Sequence, residues 1–178
     1  MSISYKLINY SRRRHEPGLD HPIHIQGFNG KPCDGLRVLG VWVDKGLTYR
    51  KHAQRAAEKA MLRLNCTLRI AQSIWGLTFQ HTQLIYLAVV RPTMTYGAPV
   101  WTKDLEGNNP TVTLLAPLRK VQNIGLRRIA GAYRAAFIPS LERETEVEPI
   151  NLYLEKLRLH QADEDKRGPV TKVLEKHR

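Results

Sequence analysis

The chain has 178 residues, with 28 Lys and Arg against 16 Asp and Glu, a formal charge of +12, 42% hydrophobic and 25% charged residues. That length suffices for one ordinary domain, or for a small β unit joined to a helical one, and the composition excludes a disordered chain. Cys33 and Cys66 are too few for a disulfide framework and read as free thiols. With no signal-peptide run and no stretch of about 18 apolar residues, the expected location is nucleus or cytoplasm, with no membrane partner.

The positive charge is unevenly placed. Residues 1–139 hold 20 basic and 7 acidic side chains, whereas residues 140–178 hold 8 and 9. A field of this sign attracts a polyanion, because neutralised phosphates release counterions on binding.

Three strands are predicted first, at "SYKLINYS" (4–11), "PIHIQ" (22–26) and "LRVLGVWV" (36–43), separated by clusters of Pro, Gly and Asp. The Asn-Gly pair in "GFNGK" (27–31) predicts a tight turn and hence antiparallel pairing. At Thr48 the period becomes helical. Ala53, Ala57, Ala60, Leu64, Leu68 and Ala71 recur at three- and four-residue steps, so the spacing predicts a helix over 48–75, capped by Thr48 and stopped by Gly76.

A second helix, Phe79 to Met94, contains "QLIYLAVV", apolar on nearly every side and so expected to pack against several partners, with Pro92 kinking or ending it. A third begins at Asn109-Pro110 or at Pro117 and buries Leu118, Val121, Gln122, Gly125, Leu126 and Ile129 before Gly131. Ser140 is expected to cap a short acidic helix, "LERETEV", ended by Pro149. A last helix, Leu152 to Asp165, leads into a charged tail.

On the first helix Lys51, Arg55, Lys59 and Arg63 follow one another in four-residue steps opposite the alanine and leucine face. Such a row can follow a phosphate strand, or can simply be a solvated face. Leu62 and Ile70 fall near the same arc, which suggests that another helix covers part of it. Lys120, Arg127 and Arg128 repeat the basic pattern on the third helix. Trp75, Tyr96 and Trp101 offer rings for stacking, with core packing the favoured role.

"SRRRH" (11–15) reads as a solvated turn, with a nuclear localisation patch or a phosphate contact as the alternatives. The spacing of His15, His21, His24 and Cys33 matches no common zinc finger. In residues 1–139 the carboxylates are isolated, so no catalytic residue and no metal ligand is assigned.

Taken in order, "KLINYSRRR", "LRVLGVWVDKGLTYRKH", "IAQSIWGL", "LIYLAVVRPTMTYGAPVW", "LRKVQNIGLRRIAGAYRAA" and "SLERETEVEPINLYL" resemble the reverse transcriptases of non-LTR (LINE-type) retrotransposons, particularly those of fungi, across residues 5 to about 160. The resemblance implies the end of the palm, then the thumb and connection. Leu39, Gly40, Val41, Trp42 and Asp44 would form a primer-grip-like turn, and the basic helices would hold an RNA–DNA or RNA template-primer without sequence preference. Fingers, early palm, both aspartate motifs and the ribonuclease H domain of that family are missing. Mg²⁺ is therefore expected only in the full-length family, whose other polymerase domains would be the partners of this region.

The expected fold is α+β, mainly α. A small antiparallel β unit of about three strands (1–47) would precede a thumb-like bundle of four to five helices (48–165) and a flexible tail (166–178). Three readings of function follow: a nonspecific nucleic-acid-binding reverse-transcriptase fragment; a non-catalytic remnant or interaction module; and an active polymerase completed in trans or by a longer transcript.

Overall fold

Short hairpins followed by helices make up the computed structural model, which describes residues 7–10, 22–25, 28–71, 77–102 and 112–167. Helix dominates and the sheets are small and antiparallel, so the fold is α+β, mainly α. The chain divides into two compact units, Met1–Gln54 and Arg55–Arg178, and the division falls inside the first long helix.

In the first unit β1 (Ile23–Ile25) pairs with β2 (Phe28–Gly30), and β3 (Gly35–Val38) pairs with β4 (Val41–Asp44), each as a separate two-stranded antiparallel sheet. Two expectations are corrected here. Asn29-Gly30 lies in a strand that returns along β1 instead of forming the turn before the third strand. The predicted strand 36–43 is two strands, because Leu39 (φ 46°) and Gly40 (φ 91°) both take left-handed conformations and reverse the chain. Two positive φ values at the centre of a two-residue loop match the twist of the flanking strands, and only the glycine takes such a conformation without strain. The first predicted strand is described only at residues 7–10, which form no strand, although the Leu7 carbonyl accepts the Cys33 N–H (2.9 Å). "SRRRH", His15 and His21 lie outside the described residues.

Helix α1 (Arg50–Ala71) buries Ala53, Ala56, Ala57, Ala60 and Leu64. Its start differs from expectation. Thr48 does not cap the helix; its hydroxyl donates instead to Asp44 Oδ2 (2.8 Å). The expected stop at Trp75-Gly76 lies outside the described residues.

The second unit continues with α2 (Phe79–Ile85), a π turn over Tyr86–Val90 and α3 (Arg91–Met94), which together fill the span predicted for the second helix. Pro92 neither ends nor sharply stops the run. It has no N–H to donate, and the widened turn, in which the Arg91 N–H reaches back to the Tyr86 carbonyl, comes immediately before it. Tyr86, Val90, Arg91 and Met94 are buried, but Leu84 and Val89 are exposed, so the all-round packing expected of "QLIYLAVV" is not found.

After α4 (Ala98–Trp101) comes α5 (Val112–Ile129), with Pro117 inside the helix and not at its start. Its buried face is the predicted one: Leu118, Val121, Gln122, Gly125, Leu126 and Ile129. α6 is Ile138–Glu144 and α7 is Ile150–Arg167. Ser140 is therefore inside α6, not its cap, and Glu142 and Glu144 fall outside the first turn, because Pro139 has the backbone angle of a first helical turn and starts the helix earlier. α6 ends at Glu144, before Pro149, which immediately precedes α7; the Pro149 carbonyl accepts the Tyr153 N–H (3.0 Å).

Gly125 is a close-approach glycine. A Cβ there would lie 2.6 Å from Cε2 of Tyr86, whose ring is fully buried. Gly125→Val is expected to destabilise the second unit by about 1–3 kcal/mol, as overpacked cores do. A lowered urea midpoint checks this, and an unchanged one would mean that the ring can move.

Three side chains from different helices secure the connection between α6 and α7. Gln83 Nε2 donates to the Thr145 carbonyl (2.7 Å). Gln122 Nε2 donates to Glu142 Oε1 (3.1 Å) and to the Glu148 carbonyl (3.3 Å). Arg91 Nη2 donates to that same carbonyl (2.6 Å) while its guanidinium stacks 3.8 Å from the Tyr153 ring centre. Burial pushes the Arg91 pKa down, opposed by Tyr86, Tyr153, Glu148 and Glu142. Burial likewise pushes the Tyr86 phenol far up, with Arg91 acting against it and Glu142 with it.

Candidate nucleic-acid interface

Of the residues expected in a primer-grip-like turn, Val41, Trp42 and Asp44 lie on β4, while Leu39 and Gly40 form the tip of the β3–β4 hairpin. Leu39 stands 90% exposed at its apex, and Val41, two residues later, is buried. A leucine is an unfavourable choice for a left-handed turn position and for water contact at once, and strain of this kind is often retained for function.

Trp42 and Asp44 tie β4 to the first turns of α1. The Trp42 N–H donates to Nδ1 of buried His52 (3.3 Å), which requires that nitrogen to be unprotonated, and Lys51 Nζ lies 4.7 Å from the Trp42 ring centre. Asp44 accepts from the N–H groups of Thr48 (3.0 Å) and Tyr49 (2.8 Å), besides the Thr48 hydroxyl. Burial acts to raise the Asp44 pKa, but these donors outweigh it and hold the carboxyl below its ordinary value.

A depressed carboxyl pKa contributes stability that is fully present above the unfolded value, about 3.9, and is lost as pH falls through the folded one. Asp44→Asn should therefore melt earlier than the parent at neutral pH, with the difference shrinking below about pH 4. Thermal melts of both proteins across pH check it; a gap independent of pH would contradict the role of the charge.

Lys51, Arg55, Lys59 and Arg63 are all exposed on α1, on the side opposite its buried alanines. Four residues of helix advance about 6 Å, so they form a row along the axis. Arg63 is partly engaged, since its Nη1 donates to Thr93 Oγ1 (2.6 Å). Leu62 is exposed too, and the cover expected over it from another helix is not found.

On α5, Lys120 and Arg128 are exposed. Arg127 is half-buried: its Nη1 donates to the Asn123 carbonyl of its own helix (3.3 Å), and its Nε is buried without a partner. Its guanidinium is thus less available than the sequence pattern implied. Trp101 is a core residue, its indole N–H donating to the Tyr96 carbonyl (2.9 Å), whereas Tyr96 is exposed. Trp75 lies outside the described residues.

His52 and Arg91 went unrecognised in the sequence. A histidine beside Ala53 on the apolar side of the helix was a signal for the first; nothing local marks Arg91, which lies next to a proline in an apolar run. Among the described residues no three His, Cys, Asp or Glu side chains gather to hold a metal ion, and no helix is long and apolar enough to cross a membrane.

No protein-family model and no solved structure matches the chain. Over 92 residues, 52% of its length, it is 28% identical to the retrovirus-related Pol polyprotein from type-1 retrotransposable element R1 of Bradysia coprophila, and the match spans 9% of that protein. About half of this chain is thus a region related to a retrotransposon Pol polyprotein, and it corresponds to a small part of the longer protein.

Proposed function

We propose that the chain is the part of a non-LTR retrotransposon reverse transcriptase in which the palm passes its template-primer to the thumb, and that it binds the duplex through the sugar-phosphate backbone. The observation that carries this is the row of exposed cations on α1 opposite a fully buried alanine face. The hairpin apex at Leu39, the Lys120 and Arg128 cations on α5 and the similarity to a Pol polyprotein support it.

Polymerisation requires carboxylates gathered around divalent metals. The role assigned to this region is binding and positioning of the duplex, with Mg²⁺ and nucleotide transfer assigned to other domains of a longer polyprotein.

Backbone recognition makes a specific forecast. Unlabelled RNA–DNA hybrids of different sequence should displace a labelled hybrid equally well, and affinity should fall linearly on a log–log plot against salt. Sequence-selective displacement, or affinity insensitive to salt, would refute the proposal. The exposed Leu84, Val89 and Leu62 favour a second reading, an interaction module docking on other polymerase domains. Its mark would be self-association by a folded protein that binds no nucleic acid.

A further inference from the structure

The connection between α5 and α6 is built for more than joining two helices. Helix α5 closes at Gly131 in a left-handed conformation (φ 61°), with the Ala132 N–H donating to the Arg127 carbonyl (2.8 Å), the six-to-one bond of a glycine-terminated helix. A tight turn follows, in which the Ala136 N–H donates to the Tyr133 carbonyl (3.0 Å), and α6 then begins with the Leu141 N–H reaching the Phe137 carbonyl (3.3 Å). The backbone is therefore fixed at its start, centre and end.

On this fixed loop the sequence sets two large rings in water. Tyr133 is 89% exposed and Phe137 70% exposed, and the turn brings the chain at residues 133 and 136 within about 7 Å of each other. Arg128 and Arg134 are exposed on either side of Tyr133 in the sequence. From 112 to 141 the chain has five basic side chains and no acidic one. Exposed rings on a hydrogen-bonded loop have little to gain from water, and the exposed Arg128 and Arg134 favour an anionic occupant with flat faces.

We propose that Tyr133 and Phe137 form a stacking platform for unpaired bases of a single-stranded nucleic acid, whose phosphates are held by Arg128 and Arg134. The idea rests on the nucleic-acid reading above, but it adds a separate site with a different ligand: a single strand here, a duplex on α1. Stacking on rings tolerates any base, so the platform takes single strands without sequence preference.

The test is fluorescence anisotropy of the full chain with three labelled probes: an oligothymidylate and an oligouridylate of roughly twelve nucleotides, and an RNA–DNA hybrid. Tyr133→Ser with Phe137→Ser should weaken single-strand binding roughly 10- to 100-fold while changing hybrid affinity less than about twofold. Tyr133→Phe should keep full affinity, and Tyr133→Trp should add fluorescence that the oligonucleotide quenches. The two single strands distinguish an RNA from a DNA ligand.

Unchanged single-strand affinity in the double variant would overturn the platform, as would an equal loss for strand and hybrid. So would concentration-dependent dimers that the double variant abolishes, because the rings would then be covered by a second copy. Failure of the duplex reading is seen separately, as hybrid affinity indifferent to charge removal on α1.

Discussion

Arg91→Ala is expected to destabilise the second unit by about 3–5 kcal/mol. The substitution removes a charged hydrogen bond to the Glu148 carbonyl at 2.6 Å and a guanidinium stacked on Tyr153, and it leaves a cavity where a buried side chain stood. A hydrogen bond to a charged group is worth about 1.5–3 kcal/mol and a desolvated cation–π contact about 2. Arg91→Lys should recover less than half, because an ammonium lacks the flat fork that both bonds the carbonyl and lies on the ring. Urea denaturation followed by circular dichroism checks both, and a loss below about 1 kcal/mol for Arg91→Ala would mean that the α6–α7 connection is held by Gln83 and Gln122 alone.

The second large effect concerns binding. Replacing Arg55, Lys59 and Arg63 together by glutamine keeps helix propensity and removes three cations from one exposed row. Each phosphate contact contributes about 0.9 to the slope of log affinity against log salt, so the variant should bind an RNA–DNA hybrid roughly a hundredfold more weakly at about 0.1 M salt, with a slope shallower by about 2–3. Arg127→Gln should do much less, because that guanidinium is folded back on the Asn123 carbonyl. If Arg127→Gln proved the more damaging, the duplex would have to lie on α5.

The long helices were legible in the sequence because each buries a stripe at helical spacing: Ala53 to Leu64 on α1, and Leu118 to Ile129 on α5. The basic residues of α1 followed from the same wheel, since what is opposite a buried stripe is exposed. The β region was less legible. Its signals were local and misleading: Asn29-Gly30, a familiar turn pair, lies within a strand, and a reversal falls inside a predicted strand at Leu39-Gly40, where the first turn residue is one that rarely takes that conformation.

Helix starts were misplaced for a related reason. Asp44 reaches forward to the amides of Thr48 and Tyr49 from a strand, and Pro139 starts α6 ahead of Ser140. The Arg91 contacts had no local sequence signature, because they depend on the Glu148 carbonyl and Tyr153, which lie far away in the chain.

Whether this region grips a duplex by its backbone is decided by titrating a labelled RNA–DNA hybrid with the parent and the Arg55, Lys59 and Arg63 variant at two salt concentrations. Salt-sensitive binding by the parent, largely lost in a variant of unchanged helicity, is the expected result. Equal affinity of the two proteins, or no binding by the folded parent, would contradict it.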